Sequence, residues 1–233
     1  MPSTLATLQE ACQHPPAVLP GQEAVGVLCS YAPLELLHAA GLVPVRLHMP
    51  GQPPAAAGAW LPPFTCSIVR GILGAALAGQ LDSLVAVLLP HTCDSVQELL
   101  GIWQALQPQR ALLAFADPLA VGGPRAAAYM QAELCSLAKR LGRPVSDAAL
   151  AASLRLYNRL RRAVCGIDRL RDRLSAAEAW AAIAAAWRMP PEEYVDATER
   201  LTADLNRAEP RASAGPPLFL SGSLLDEPLI PGL

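Results

Sequence analysis

The feature that most constrains the fold is an uninterrupted apolar run at residues 84–89, which is followed directly by Pro90. A run of this length is too short to cross a bilayer, and it is typical of a strand in a parallel sheet covered on both faces. Shorter apolar segments at residues 24–29, 43–47 and 111–115 predict three further strands. The chain therefore carries the pattern of a small, fully buried sheet.

Segments with helical apolar spacing separate these strands. The predicted helices cover residues 5–13, 34–40, 67–78, 95–106 and 124–141. Residues 49–63 are rich in Pro, Gly and Ala and show no periodicity, so they predict a loop. Alternation of strand and helix predicts an α/β fold with an open, doubly wound parallel sheet of about four strands, of the flavodoxin-like or Rossmann-like kind.

After Gly142 the pattern becomes helical only, with a capping-box sequence at Ser175 and Glu178. We divide the chain into four segments: an N-terminal helix and turn, an α/β domain, a helical C-terminal arm, and a linker that leads into the first strand of a second α/β domain. Their predicted bounds are residues 1–20, 21–145, 146–208 and 209–233. The last strand is predicted at residues 218–221, and we expect the second domain to be truncated.

Composition excludes several classes of function. The chain has 233 residues and a formal net charge of −2, which gives no support for electrostatic binding of nucleic acid. No apolar run is long enough to span a membrane, and the N-terminus does not have the pattern of a signal peptide. We therefore expect a cytoplasmic protein with no membrane partner.

Three of the six cysteines fall at the predicted sheet edge. Cys29 ends the first strand, Cys66 begins a helix, and Cys93 follows the third strand. In a parallel sheet these positions share the carboxyl edge, where ligands bind. Helix N-termini there favour anions, and thiolates are the ligands of iron–sulfur clusters. The alternative is that the three residues are small buried apolar side chains.

The other three cysteines lie inside predicted helices. Their spacing matches no zinc pattern, and a cytoplasmic chain of this length does not favour disulfides. We therefore predict that they are core residues: Cys12, Cys135 and Cys165.

Two acidic residues and one basic residue near the same edge have alternative interpretations. Glu35, in the first turn of a helix, is an acid/base candidate or a partner of the helix dipole. Asp94 is interpreted as the N-cap of the helix that follows Cys93. Arg70, one turn after Cys66, either meets a phosphate or carboxylate or is a solvated helix residue.

Taken together, five segments resemble the family of 2-hydroxyacyl-CoA dehydratases and benzoyl-CoA reductases, mainly over its N-terminal half. They are CSYAPLELLHAAGLVPVRL at residues 29–47, FTCSIVRGILG at 64–74, LDSLV at 81–85 leading into TCD at 92–94, the helical stretch ALAASLRLYNRLR at 149–161, and LFLSGS at 218–223. The ordered set is more specific than any single piece.

The resemblance implies a subunit of a heteromeric, oxygen-sensitive iron–sulfur enzyme that acts on an acyl-CoA thioester. Such enzymes work with a homologous second subunit and with a separate ATP-hydrolysing activator, which supplies one low-potential electron. In the dehydratases, which are lyases, a ketyl radical forms from the 2-hydroxyacyl-CoA, and loss of the hydroxyl yields an enoyl-CoA. In the reductases the electrons enter an aromatic ring, and this oxidoreductase reaction is the alternative activity.

The resemblance also implies site residues. Cys66 and Cys93 match two cysteine ligands of a [4Fe-4S] cluster, and Glu35 matches the acidic position of a Pro-x-Glu motif near substrate and cluster. The third ligand of the family follows the position of Ser223, beyond this chain, so Cys29 is the candidate substitute. Two other interpretations stay open: a truncated family fragment without catalysis, and an electron-carrier or structural partner subunit.

Overall fold

The computed structural model describes residues 4–13, 18, 21–47, 55–109 and 111–211. The strands are β1 (Ala24–Val27), β2 (Val43–Arg46), β3 (Ala86–Pro90) and β4 (Ala111–Phe115). The helices are α1 (Thr4–Gln13), α2 (Leu34–Ala39), α3 (Ser67–Leu77), α4 (Asp94–Leu106), α5 (Pro124–Leu141), α6 (Asp147–Arg169), α7 (Ala176–Ala184) and α8 (Pro191–Arg207). Short 3-10 helices occur at Ala55–Ala59, Arg171–Arg173 and Ala185–Trp187.

The four strands form one sheet in the order β2-β1-β3-β4, and every pair is parallel. β1 pairs with β2 from Ala24 opposite Val43, and with β3 from Val25 opposite Ala86. The chain therefore winds outward from β1 in one direction and then returns to build β3 and β4 in the other. This is the predicted doubly wound α/β fold, and the prediction is confirmed.

Each face of the sheet is covered by its own apolar cluster. Val25 of β1 and Leu88 of β3 face the side that also holds buried residues of α2 and α5. Val87 and Leu89 of β3 face the opposite side, where α3, α4 and the buried Trp103 pack. Alternate strand residues thus enter opposite clusters, which explains why β3 is apolar at every position.

Most predicted elements agree with the structure to within one or two residues at their ends, and two differences have a clear structural cause. The strand predicted at residues 84–89 begins later, at Ala86, because Leu84 closes a turn by donating its backbone N–H to the carbonyl of Leu81. Leu84 is apolar because it packs on the core from that turn. Inside the predicted loop 49–63, residues Ala55–Ala59 form a 3-10 helix.

The contacts of the chain define two compact units, one of residues 18–153 and one of residues 1–17 and 154–233. The boundary lies within α6. In the second unit, α1 packs against α7 and α8, so the first and last described helices share a core. That core contains the buried residues Leu8, Tyr194 and Leu201. We call these two the α/β unit and the helical unit; the four predicted domains stay a prediction.

Two helices of the helical stretch begin at a side-chain cap, and the capping box at Ser175 confirms the sequence prediction. Ser146 caps α6 by accepting the backbone N–H of Ala149 at 3.1 Å. Ser175 and Glu178 form a reciprocal capping box at the start of α7, with distances of 2.7 and 3.2 Å. The strand predicted at residues 218–221 lies outside the described residues. Among the helices that are described, none combines the length and apolar character needed to cross a bilayer.

Candidate functional site

The candidate site lies at the carboxyl edge of the sheet, where β1 and β3 end side by side. Chain winding reverses between these two strands, and such a switch point leaves a crevice in which doubly wound proteins bind ligands. Cys29 follows β1, and Cys93 follows β3 after a short segment that begins at His91. The topology thus brings two of the predicted site residues to one crevice.

Cys29 has an unusual backbone conformation. Its φ is +62°, and among the described residues it is the non-glycine residue with positive φ. Left-handed backbone is disfavoured for residues with a Cβ and is found often at functional positions. Across the crevice, the hydroxyl of Thr92 donates to the Cys29 sulfur at 3.9 Å, which links the loop after β1 to the loop after β3.

Cys66 and Cys93 both stand at the N-cap of a helix. Cys66 precedes α3, and its carbonyl accepts the N–H of Arg70 at 3.1 Å. Cys93 precedes α4, and its carbonyl accepts the N–H of Gln97 at 3.0 Å. Neither cysteine side chain makes a capping hydrogen bond. The two cysteines therefore lie at the N-termini of neighbouring helices on the same face of the sheet.

Several neighbouring groups, including the other two thiols, change the pKa of Cys29. Burial raises the pKa of the Cys29 thiol, and the thiols of Cys93 and Cys66 raise it further. The hydrogen bond from Thr92 and the guanidinium of Arg46 act in the opposite direction. The net effect holds Cys29 as a neutral thiol.

The candidate ligands at this edge are thiols, and thiolates are the protein ligands of iron–sulfur clusters. Within the part of the chain that the structure describes, no three His, Cys, Asp or Glu side chains are grouped as ligands of one ion. A four-iron cluster is larger, and its cysteine sulfurs are spread around several metal atoms.

Glu35 approaches the edge from the other side. It lies in the first turn of α2, after the N-cap residue Pro33, and its side chain is half-buried. α2 packs on the face opposite α3 and α4. Glu35 and the two N-cap cysteines therefore stand at one sheet edge but in different helical layers, as expected for groups on two sides of a crevice.

Sequence reasoning missed a second polar region at the end of β4. A groove of about 540 Å³ is lined by residues that include His91, Tyr129, Glu133 and Arg140. The Glu133 carboxylate accepts the backbone N–H of Ala116 at 3.3 Å, and Arg140 donates to the carbonyl of Ala114 at 2.5 Å. Arg140 thus binds a carbonyl within β4, and Glu133 binds the backbone N–H just beyond the end of β4. The sequence contained one indication of this region: Glu133 and Arg140 are seven residues apart, which places them on the same face of α5.

Two predictions about other polar residues are wrong. Cys135 and Cys165 are exposed, because each lies on the solvent side of its helix, whereas Cys12 is half-buried. Asp94 is not an N-cap but the first helical residue, since Cys93 holds the capping position. Residue type and position next to a helix were not enough to decide side-chain orientation.

The fold and the edge together define a class: a doubly wound α/β protein whose switch point is surrounded by cysteines from separate segments. Residues 29–230 match the family model described as 2-hydroxyglutaryl-CoA dehydratase, D-component. The chain belongs to this family, and the resemblance stated from its motifs is confirmed.

Three curated relatives show the range of the family. The chain is 26% identical over 219 residues to a subunit of benzoyl-CoA reductase from Thauera aromatica, covering 90% of this chain and 57% of that one. It is 31% identical over 143 residues to the beta subunit of lactoyl-CoA dehydratase from Anaerotignum propionicum, covering 59% and 37%. It is 25% identical over 218 residues to the beta subunit of (R)-2-hydroxyglutaryl-CoA dehydratase from Acidaminococcus fermentans, covering 89% and 58%. The chain thus spans at most 58% of the length of these relatives.

Proposed function

We propose that this chain is an iron–sulfur subunit of an enzyme that acts on acyl-CoA thioesters, with dehydration of a 2-hydroxyacyl-CoA as its reaction. The observation that carries the proposal is the position of three cysteines at the carboxyl edge of the sheet, in a chain that belongs to the dehydratase family. Cys29 follows β1 and contacts Thr92, and Cys66 and Cys93 are the N-cap residues of α3 and α4. A benzoyl-CoA reductase subunit is also among the relatives, so ring reduction is the second candidate.

In this proposal Cys66 and Cys93 hold a [4Fe-4S] cluster, and Cys29 is the candidate third ligand. When bound, the cluster would supply electron transfer and a Lewis-acidic iron. Each cysteine must lose its proton to act as a ligand, and burial opposes that loss at Cys29. We therefore expect Cys29 to contribute less to affinity than either N-cap cysteine.

The other side chains of the edge bind, orient and move protons. Glu35 is positioned to exchange a proton with a substrate that enters from the α2 side. Thr92 holds the loops after β1 and β3 together through the Cys29 sulfur, which narrows the crevice. Arg46, whose guanidinium donates to Ser30 at 3.5 Å, adds positive charge beside the thiols.

We further propose partners by analogy with the named relatives. Several are beta subunits, so we expect a second, homologous subunit. An ATP-dependent activator, the acyl-CoA substrate, oxygen sensitivity and a cytoplasmic location stay predictions from the sequence. A role as electron carrier or structural partner is the alternative if iron binds without catalysis, and a non-catalytic fragment is the alternative if it does not.

Anaerobic reconstitution with iron and sulfide tests the cluster. We expect iron and sulfide to bind to the wild-type chain, to be lost in Cys66→Ala and in Cys93→Ala, and to be reduced in Cys29→Ala. Cys135→Ala is the matched control, because Cys135 is an exposed cysteine inside α5 and is not one of the three proposed ligands. Full iron content in the Cys93→Ala variant would refute the ligand assignment.

Activity needs a separate assay. The reconstituted chain is combined with candidate partner subunits and an ATP-dependent activator, and a panel of 2-hydroxyacyl-CoA and aromatic acyl-CoA thioesters is supplied. Formation of an enoyl-CoA supports the dehydratase, and ring-reduced product supports the reductase. Within an active assembly, Glu35→Gln should lower turnover without lowering iron content, because the carboxylate is proposed to move a proton and not to bind iron.

A further inference from the structure

The segment that carries Cys66 contains two buried polar atoms without a hydrogen-bond partner. They are the hydroxyl oxygen Oγ1 of Thr65 and the Nε of Arg70. Thr65, the residue before the N-cap, is only 5% exposed. Arg70 lies in the first turn of α3, and its backbone N–H donates to the carbonyl of Cys66. The two atoms therefore belong to residues on either side of one proposed ligand.

Nearly all buried polar groups in native proteins have a partner, so an unpartnered group points to something that binds there. Both groups here are donors, since a hydroxyl and a guanidinium N–H can each supply a proton to an acceptor. Thr65 cannot turn to solvent, because its side chain is buried. Because the two residues flank Cys66 in the chain, an acceptor bound at Cys66 is the candidate partner of both groups.

One nitrogen of the Arg70 guanidinium already has a partner in the protein. Its Nη1 donates to the carbonyl of Pro63 at 3.4 Å, in the loop that leads to Cys66. A Cβ placed on Gly58 would lie 4.0 Å from Nη2, so the far end of the guanidinium faces the 3-10 helix. The Nε atom is the part nearest to α3, and it is the part that stays unpartnered.

We propose that the Thr65 hydroxyl and the Arg70 Nε–H are hydrogen-bond donors to the iron–sulfur group at Cys66 and that they raise its reduction potential. This inference rests on the proposed function. Reduction adds negative charge to the cluster, and donors or a cation at its sulfurs stabilise the reduced form more than the oxidised form. Thr65 and Arg70 are positioning and tuning residues in this account and not ligands.

The test measures the midpoint potential of the reconstituted chain by reductive titration with titanium(III) citrate, followed by visible absorption and electron paramagnetic resonance. We expect Thr65→Val and Arg70→Gln each to lower the equilibrium constant of reduction about tenfold, which is about 59 mV for a one-electron couple. Iron content should stay at the wild-type level. Thr65→Ser, which restores a hydroxyl, should restore the potential.

Matched controls separate tuning from folding. Thr202→Val changes a half-buried threonine of the helical unit, and Arg162→Gln changes an exposed arginine of α6. Neither should change the potential. Thr65→Val should not lower the thermal stability of the iron-free chain, because it removes a buried hydroxyl that has no partner there.

Each result decides between explanations. An unchanged potential with full iron content in both variants would overturn the inference and leave the proposed function standing; ordered water would then be the partner of the two donors. Loss of thermal stability in iron-free Thr65→Val would also overturn it, since the hydroxyl would have a structural partner. A wild-type chain that binds no iron would remove the proposed function and this inference together. If Arg70→Gln does not fold, Thr65→Val and Thr65→Ser still decide the outcome.

Discussion

Two helices of the α/β unit, α3 and α4, begin differently from α7 of the helical unit. In the α/β unit, the N-cap positions of α3 and α4 are occupied by Cys66 and Cys93, and neither side chain caps its helix. In the helical unit, Ser175 caps α7 in a complete capping box. The N-termini of α3 and α4 at the sheet edge thus lack a side-chain cap, whereas the N-terminus of α7 has one. The contrast indicates that the candidate site lies where two helices lack the stabilising effect of a side-chain N-cap.

The two units also bury their largest side chains in different ways. Trp103 fills the cluster beneath α3 and α4, and its indole N–H has no hydrogen-bond partner. Tyr194 fills the helical core and donates its hydroxyl to the carbonyl of Ala182 at 3.0 Å. Burial raises the pKa of the Tyr194 phenol, so it stays protonated and keeps this bond. Both cores thus depend on one large aromatic anchor.

Removal of either anchor has the largest expected effect. Trp103→Ala and Tyr194→Ala should each lower the free energy of unfolding by about 3–5 kcal/mol, because each leaves a large cavity in a closed core. Urea unfolding followed by circular dichroism measures the loss. Tyr129→Ala, at a half-exposed position of α5, is the control and should change stability by less than about 0.5 kcal/mol. A similarly small loss at Trp103 would show that the α/β core is not closed around it.

Replacing glycine with alanine should lower the free energy of unfolding at one position of the α/β unit and raise it at one position of the helical unit. A Cβ on Gly26 of β1 would lie 2.8 Å from Leu84 Cδ1 and 2.9 Å from Leu47 Cδ2, so Gly26→Ala should destabilise by about 1–3 kcal/mol. A Cβ on Gly166 of α6 would meet Thr202 Oγ1 at 3.8 Å, an ordinary contact. Gly166→Ala should therefore stabilise its helix by about 0.5–1 kcal/mol. Thermal unfolding of both variants checks the signs, and equal signs would contradict the packing described for β1.

The capping difference predicts a smaller pair of effects. Ser175→Ala should cost about 1 kcal/mol, because it removes the side-chain cap of α7. Cys93→Ser should stabilise the iron-free chain by about 0.5–1 kcal/mol, since a hydroxyl can cap α4 where the thiol does not. The same variant should lose iron on reconstitution. Chemical unfolding of the iron-free proteins measures the first two effects, and a Cys93→Ser variant less stable than wild type would contradict the account of the open cap.

The smallest effects should appear in the pH dependence, again with opposite signs. Hydrogen bonding to Ser175 lowers the pKa of Glu178, so its stabilising effect is present above pH 4.5 and is lost as the pH falls further. Burial raises the pKa of Asp117 above 3.8, so its carboxylate opposes folding as the pH rises through and beyond that value. Glu178→Gln should therefore lower stability near pH 7, and Asp117→Asn should raise it.

Melting temperatures of the Glu178→Gln and Asp117→Asn variants, measured at pH 3 and pH 7, check these two effects. Both differences from wild type should be smaller at pH 3 than at pH 7, because lowering the pH protonates both carboxyls progressively. Effects of equal sign at pH 7 would show that Asp117 has a partner in solution that stabilises its charge.

Much of the fold could be predicted from sequence because its signals are local. The apolar run before Pro90, the helix stop at Gly41 and the capping box at Ser175 each depend on residues within one or two turns of chain. The same local patterns gave wrong predictions where the result depended on the direction in which a side chain points. Leu84 is apolar in a turn and not in a strand, and Cys135 is a cysteine on an exposed helix face.

The candidate site could be predicted only in part. The strand-and-helix order placed Cys29, Cys66 and Cys93 at one edge, since parallel strands share their carboxyl ends. It could not reveal the positive φ of Cys29, its contact with Thr92, or the unpartnered donors of Thr65 and Arg70. These depend on atoms brought together from segments far apart in the chain.

The amino-acid sequence was sufficient for the parallel α/β class, the family and the edge that carries the thiols, because apolar periodicity and motif order are properties of neighbouring residues. The order of the strands, which pairs β1 with β3 and opens the crevice between them, came from the three-dimensional structure alone. So did the core that α1 shares with α7 and α8. Strand pairing and burial are set by the total apolar surface removed from water, and no local segment specifies that sum.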